Sequence, residues 1–403
     1  MFAVTACAGA ACGHGASSSS APVPSNGVAL SANAGPASIG YVDGLFTSVS
    51  VCVPGTTQCQ TVDSVLVDTG SIGFRVLSSA AGGSFSLTLP QQVDGSGNPI
   101  VECNGFVDSY TWGPVQLADI TMGGEKAAKA PIQVIGDASF PDVPTACSAG
   151  GGPNADTLAS LGANAILGVG GIPQDCGSVC AESLALPNSD NPGNVYFICP
   201  SSGCEPAAVA VDLQVQNPVS LLPIDNNGVV VDLSSISSSG AASGSGTLYF
   251  GIGTQPNNGL GSATVLTLDP QALTFSTEYL GQTYPMSFID SGSNGLYFLS
   301  SGVASLPMCA DVATGDYYCP TTTVSLMATN EGMNGASSVV TFEVANADTL
   351  FADSSNYDFN DLAGPSTGGE YFDWGLPFFF GRKVFSSIEG ATAPGGQTPY
   401  VAY

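Results

Sequence analysis

The chain has 403 residues, enough for two or three domains or one large bilobal unit. Thirty-two Asp and Glu against five Lys and Arg give a formal charge of −27, which repels phosphate backbones and excludes a nucleic-acid partner. The one histidine, His14, lies in a Ser/Gly-rich stretch, which excludes a Ser–His–Asp or Cys–His nucleophile and a histidine-held metal.

Val4-Thr5-Ala6-Cys7 resembles a bacterial lipobox, in which small residues precede a lipidated cysteine. The run from Ala8 to Pro36 is mainly Gly, Ser, Ala and Pro, the composition of a flexible tether. Residues 1–35 are therefore expected as a tail. Either Cys7 is acylated and anchors the chain to a membrane, or the tail holds two incidental cysteines, Cys7 and Cys12. The remainder reads as all-β, with short apolar or alternating runs between Gly, Pro, Asn and Ser turns. Expected strands include Ser64–Val67, Phe85–Leu89, Ile132–Ile135, Val229–Leu233, Thr247–Phe250 and Val339–Val344. One short helix is expected over Asp156–Leu161, with Asn154 as N-cap. Ser234–Gly246 reads as a long surface loop, and two β domains are expected over 36–254 and 255–403.

Ten of the twelve cysteines lie beyond residue 50. Short separations, as in Cys52 with Cys59, Cys199 with Cys204 and Cys309 with Cys319, suggest loop-closing disulfides in an exported protein. Its expected place is the periplasm, the outer membrane or the exterior. The alternative is a four-thiolate zinc site of Cys176, Cys180, Cys199 and Cys204. Asp225-Asn226-Asn227-Gly228 starts like a calcium loop but lacks the later ligand spacing, so a turn is expected. Asp353, Asp358 and Asp361 are expected to solvate a long loop.

An internal repeat carries the functional signal. Val65-Leu66-Val67-Asp68-Thr69-Gly70-Ser71-Ile72-Gly73-Phe74 matches Ser287-Phe288-Ile289-Asp290-Ser291-Gly292-Ser293-Asn294-Gly295-Leu296. The aspartates stand 222 residues apart, which implies two similar lobes with one carboxylate each. Two carboxylates held within ~3 Å share a proton. The ionised member can take a proton from water while the protonated member donates to a carbonyl, with no cofactor or metal. Gly70 and Gly292 allow close approach. Thr69 and Ser291 can bond across the junction, and Ser71 and Ser293 can hold the outer carboxylate oxygens.

These segments resemble the catalytic motifs of the pepsin-like, bilobal aspartic peptidases. The resemblance covers about residues 36–403 and is nearest to bacterial exported proteins of that fold. It implies two β lobes around a cleft, an Asp68/Asp290 dyad, and an extended peptide or protein substrate handled by a monomer. It also implies an apolar-apolar-Gly segment behind each motif. Ile166-Leu167-Gly168 and Phe379-Phe380-Gly381 are the candidates. A flap hairpin is expected over Phe106–Gly124, with Phe106, Tyr110 or Trp112 as its substrate-facing aromatic. The tryptophan that family members usually carry seven residues after the first aspartate is replaced by Arg75. Arg75 is expected either to pair with a flap carboxylate such as Asp108 or to form a surface salt bridge. The competing function is a catalytically silent binding module on an exported lipoprotein with the same fold.

Overall fold

The computed structural model describes residues 23–36, 39–149, 152–182, 195–299, 306–311, 314–366 and 371–403. Cys7 and His14 lie outside these residues. The described chain is all-β, and its strands fall into one sheet of fifteen and one of seven. Within the larger sheet, six strands close on themselves. Leu45–Cys52, Cys59–Asp68, Ala165–Val169, Ile72–Leu77, Glu125–Ile135 and Tyr110–Met122 pair in that order, and Tyr110–Met122 pairs back to Leu45–Cys52. Closure removes free edges, and the two strands central in that order, Ala165–Val169 and Ile72–Leu77, are covered on both faces. Ile72–Leu77 is accordingly buried at all six positions, with a parallel neighbour on one side and an antiparallel one on the other.

The smaller sheet shows the other regime. Val324–Glu331 and Ser337–Val344 form an antiparallel hairpin whose buried residues alternate with exposed ones. One face packs on the core and the other meets solvent. Behind the hairpin, Phe298 stacks on Phe372 at 5.1 Å and meets Phe342 edge-on, and Phe342 meets Trp374 edge-on at 5.3 Å. This aromatic cluster supports the second motif strand, Gln282–Ile289. The chain then returns to the larger sheet, where Lys383–Ser387 pairs with Gly228–Leu233 and with Tyr400–Ala402. The expected boundary at 254/255 falls in the loop between strands Gly244–Phe250 and Val265–Thr267.

Most expected strands form, with four local corrections. Gly27–Ala32, expected within the tail, is a strand paired with Gly244–Phe250, and that strand takes its first three residues from the expected loop Ser234–Gly246. Phe85–Leu89 makes only a single bridge from Phe85 to Ser78, and Pro90, which cannot donate to a ladder, follows it. The expected helix shrinks to Leu158–Leu161. Thr157, rather than Asn154, caps it, in a reciprocal box with Ser160. Asn154 instead bridges to Tyr110.

Among the described residues there are five disulfides: Cys52–Cys59, Cys103–Cys147, Cys176–Cys180, Cys199–Cys204 and Cys309–Cys319. The zinc alternative is thereby overturned, because its four thiols are consumed in two short loops. Five bridges point to an oxidising, exported environment. No described helix is long and apolar enough to cross a membrane.

Candidate active site

Asp68 ends the strand Cys59–Asp68, and Asp290 directly follows the strand Gln282–Ile289. Each chain then turns back so that the following amides face the carboxylate. The Gly70 amide donates to Asp68 Oδ1 at 2.8 Å, and the Ser71 amide donates to the same oxygen at 3.0 Å. The Ser71 hydroxyl holds Asp68 Oδ2 at 2.5 Å. In the second motif the Gly292 amide donates to Asp290 Oδ1 at 2.7 Å, and the Ser293 hydroxyl to Oδ2 at 2.9 Å. The same sequence pattern therefore builds the same carboxylate cradle twice.

The two cradles meet. The Gly70 amide also donates to Asp290 Oδ1, at 3.0 Å. A Cβ on Gly70 would lie 2.6 Å from Asp290 Cγ, and one on Gly292 would lie 2.8 Å from Asp68 Cγ. Only glycine permits that approach. Behind the carboxylates the hydroxyls of Thr69 and Ser291 cross over. The Ser291 amide donates to Thr69 Oγ1 at 2.9 Å and the Thr69 amide to Ser291 Oγ at 3.2 Å. Ser291 Oγ donates to the Val67 carbonyl at 2.8 Å, and Thr69 Oγ1 to the Ile289 carbonyl at 3.3 Å. Four hydrogen bonds thus fix one motif against the other. Burial, then Asp68, then Asp373 push the Asp290 carboxyl well above the usual carboxylate range.

Each motif strand has a parallel neighbour. Asp68 stands opposite Gly168, as the Ile166-Leu167-Gly168 expectation requires. In the second half the expectation needs correcting. The strand beside Gln282–Ile289 is Phe372–Trp374, and the Asp290 amide donates to the Trp374 carbonyl at 3.1 Å. The matching segment is Asp373-Trp374-Gly375. Phe379-Phe380-Gly381 lies one turn further on, where Phe379 ends a short 3₁₀ turn.

A hairpin of Ile100–Gly105 and Tyr110–Met122 stands where the flap was expected, but Phe106–Gly124 holds only its turn and second strand, with Val107 fully exposed at the tip. Period-two alternation sorts its aromatics. Trp112 is 2 % exposed, meets Phe197 edge-on, and donates from Nε1 to the Phe140 carbonyl. It belongs to the core beneath the hairpin, so its expected substrate-facing role is corrected. Tyr110 packs on the same cluster, which contains the Cys103–Cys147 disulfide. Phe106 packs instead with Tyr41 against Leu66 and Ile166, beside the motif strand.

Arg75 pairs with a carboxylate of the hairpin, as one expectation has it, but with Glu102 rather than Asp108, and the surface salt bridge is corrected. Arg75 is fully buried, with Nη2 at 2.6 Å from Glu102 and 3.1 Å from Asp175. The partners are neither Asp108 nor solvent. Burial works against the Arg75 charge, but Glu102 and Asp175 outweigh it and raise its pKa. Burial and Glu102 push Asp175 well above the usual carboxylate range despite Arg75. The Tyr196 hydroxyl donates to Asp175 at 2.7 Å. This network ties the hairpin strand to the strand after the first motif.

A family model described as a protein of unknown function (DUF3443) matches residues 22–403. The chain belongs to the DUF3443 family. No curated protein matches it. Two site residues of this DUF3443 chain escaped the sequence reading. Tyr41 meets Phe46 edge-on and packs with Phe106 against Leu66 and Ile166, and burial, then Asp68, Asp290 and Asp108, push its phenol up. Asp373 interrupts an apolar run, and that interruption was its one available signal. The other acids do not join the site. Asp225 accepts from Gln255 in a turn, as expected. Asp353 is exposed, whereas Asp358 and Asp361 are buried, which corrects their expected role as loop solvation.

Proposed function

We propose that this chain is an aspartic endopeptidase of pepsin-like architecture, with one catalytic motif contributed from each sheet. One observation carries the reading. A single backbone amide, Gly70 N–H, donates to both Asp68 Oδ1 and Asp290 Oδ1, so the two carboxyls share one site. At that separation they hold one proton between them. Asp68 takes a proton from a water molecule, whose oxygen bonds to the scissile carbonyl carbon. Asp290 passes its proton to the carbonyl oxygen. Collapse of the resulting diol breaks the C–N bond as the nitrogen is protonated, releasing a carboxylic acid and an amine.

The hairpin supports an extended substrate laid beneath it, with Phe106 and Tyr41 on the site side. The disulfides support an exported protein, in the periplasm or anchored at the outer membrane through Cys7. The test is incubation of the oxidised full chain with denatured casein from pH 3 to 8, with products read by mass spectrometry. Cleavage by the wild type that falls at least a thousandfold in Asp68→Asn and in Asp290→Asn is the expected result. A folded wild type that cleaves nothing at any pH overturns the reading and leaves a silent binding module.

A further inference from the structure

A cavity of about 210 Å³ lies where the smaller sheet meets the segment that returns the chain to the larger one. Its apolar lining comes from Leu296, Trp374, Phe378 and Phe380, all buried. Leu296 and Trp374 stand opposite each other on neighbouring strands. The Trp374 carbonyl also accepts from the Asp290 amide, so the cavity shares a wall with the support of the second motif. A single water needs roughly 10–15 Å³ and a drug-sized ligand roughly 300–1,000 Å³. The volume therefore suits a small metabolite rather than one ion.

Opposite charges line the same space. Asp361 is 4 % exposed, and its Oδ2 is buried with no hydrogen-bond partner. The adjacent Asn360 leaves its Oδ1 in the same condition. Glu343, on the edge strand Ser337–Val344 of the smaller sheet, brings an exposed carboxylate to the rim. Arg382 is the one cation of this lining among the described residues. Its Nη1 donates to the Phe378 carbonyl at 2.6 Å, and its guanidinium carbon stands 4.6 Å from the Phe378 ring centre. Among the described residues it forms no ion pair, although two acids line the same cavity. The fold holds a guanidinium and two carboxylates apart around one space.

Buried polar atoms are paired as a rule, so acceptors of this kind point to donors that a ligand supplies. An ammonium carries three N–H donors and no acceptor, which suits Asn360 Oδ1 together with Asp361 and Glu343. A guanidinium pairs best with a carboxylate, through two parallel N–H donors. Aromatic and aliphatic walls take an apolar side chain. We infer that this cavity is a binding site for a zwitterionic α-amino acid with an apolar side chain. A metal ion would meet repulsion from Arg382, and a simple carboxylic acid would leave Asp361 without a donor. Burial, then Glu343, raise the Asp361 carboxyl to about 6, so at pH 7.5 it is ionised and able to hold an ammonium. The inference goes beyond the peptidase reading and does not depend on it.

The experiment titrates the oxidised full chain at pH 7.5 with L-leucine and with L-phenylalanine by calorimetry, with thermal unfolding as a second readout. Saturable one-to-one binding and a raised Tm are expected for at least one of them. The amide of that amino acid, which lacks the carboxylate, and its N-acetyl derivative, which lacks the ammonium, should each bind about tenfold or more weakly. These arms use the wild type alone and hold whether or not any variant folds. Arg382→Met and Asp361→Asn should each weaken the parent amino acid about tenfold or more. Arg382→Met should not weaken the amide further, which ties the guanidinium to the ligand carboxylate. No saturable binding of either amino acid by folded wild type up to about 10 mM overturns the inference. So does an amide or an N-acetyl derivative that binds as tightly as its parent. Casein cleavage plays no part in these readouts, so their failure leaves the peptidase reading untouched.

Discussion

Replacing Ser291 with alanine tests whether the crossed hydroxyls hold the two motifs together. Ser291 is fully buried, so no water can replace its side chain without a rearrangement. The variant loses the 2.8 Å bond to the Val67 carbonyl and the 3.2 Å bond from the Thr69 amide. A buried group left unpaired costs about 1–3 kcal/mol, and two groups lose partners. Thr69 is partly exposed, which lets solvent recover some of its loss, so the expected total is about 2–4 kcal/mol. Urea unfolding of oxidised wild type and variant, followed by fluorescence, reads that difference as a lower midpoint at unchanged slope. The same lock sets where Asp290 lies against the Gly70 amide. Misplacement on the ångström scale costs about a hundredfold in rate, so kcat should fall by roughly 10–100-fold with KM little changed. Ser237→Ala, at an exposed hydroxyl, serves as a control expected within about 0.5 kcal/mol of wild type. Stability within that same margin in Ser291→Ala, together with an unchanged kcat, would refute the lock.

Other substitutions probe the surroundings of the site. Arg75→Met leaves Glu102 and Asp175 buried without their cation and should cost about 3–5 kcal/mol by urea midpoint. Adding Glu102→Gln should recover part of that loss, and a double variant no better than the single one contradicts a charge origin. Burial raises Asp358 to about 7, against a backbone amide from Gly244. The folded state therefore keeps a proton that the unfolded chain releases near pH 4, and this contribution to stability is lost as pH rises from about 4 through about 7. Asp358→Asn should flatten that part of the stability–pH curve, as read by thermal unfolding at fixed ionic strength, and an unchanged slope argues against the assignment.

The repeated Asp-Thr/Ser-Gly-Ser pattern was legible because it acts locally. Amides two and three residues on wrap a carboxylate in any chain that turns there, so Asp68 and Asp290 each build their own cradle. Three disulfides were legible for the same reason, since Cys52–Cys59, Cys199–Cys204 and Cys309–Cys319 close short loops. Cys103–Cys147, 44 residues apart, needed the fold. So did the partners of Arg75, which come from residues 27 and 100 positions away. Phe379-Phe380-Gly381 misled because composition names a segment but not its register, and strand pairing selected Asp373-Trp374-Gly375 instead.

The amino-acid sequence by itself determined the all-β character, the exported chemistry and the pair of carboxylates, because turn residues, cysteines and short-range hydrogen bonds act within a few positions. Tertiary structure decided that the Asp290 carboxyl is raised well above the usual carboxylate range. Burial and the neighbours that raise Asp290 come from strands more than 80 residues apart in the chain. It also decided which face of the hairpin looks at the site, because alternation sets Trp112 and Phe106 against different clusters only once the hairpin has packed.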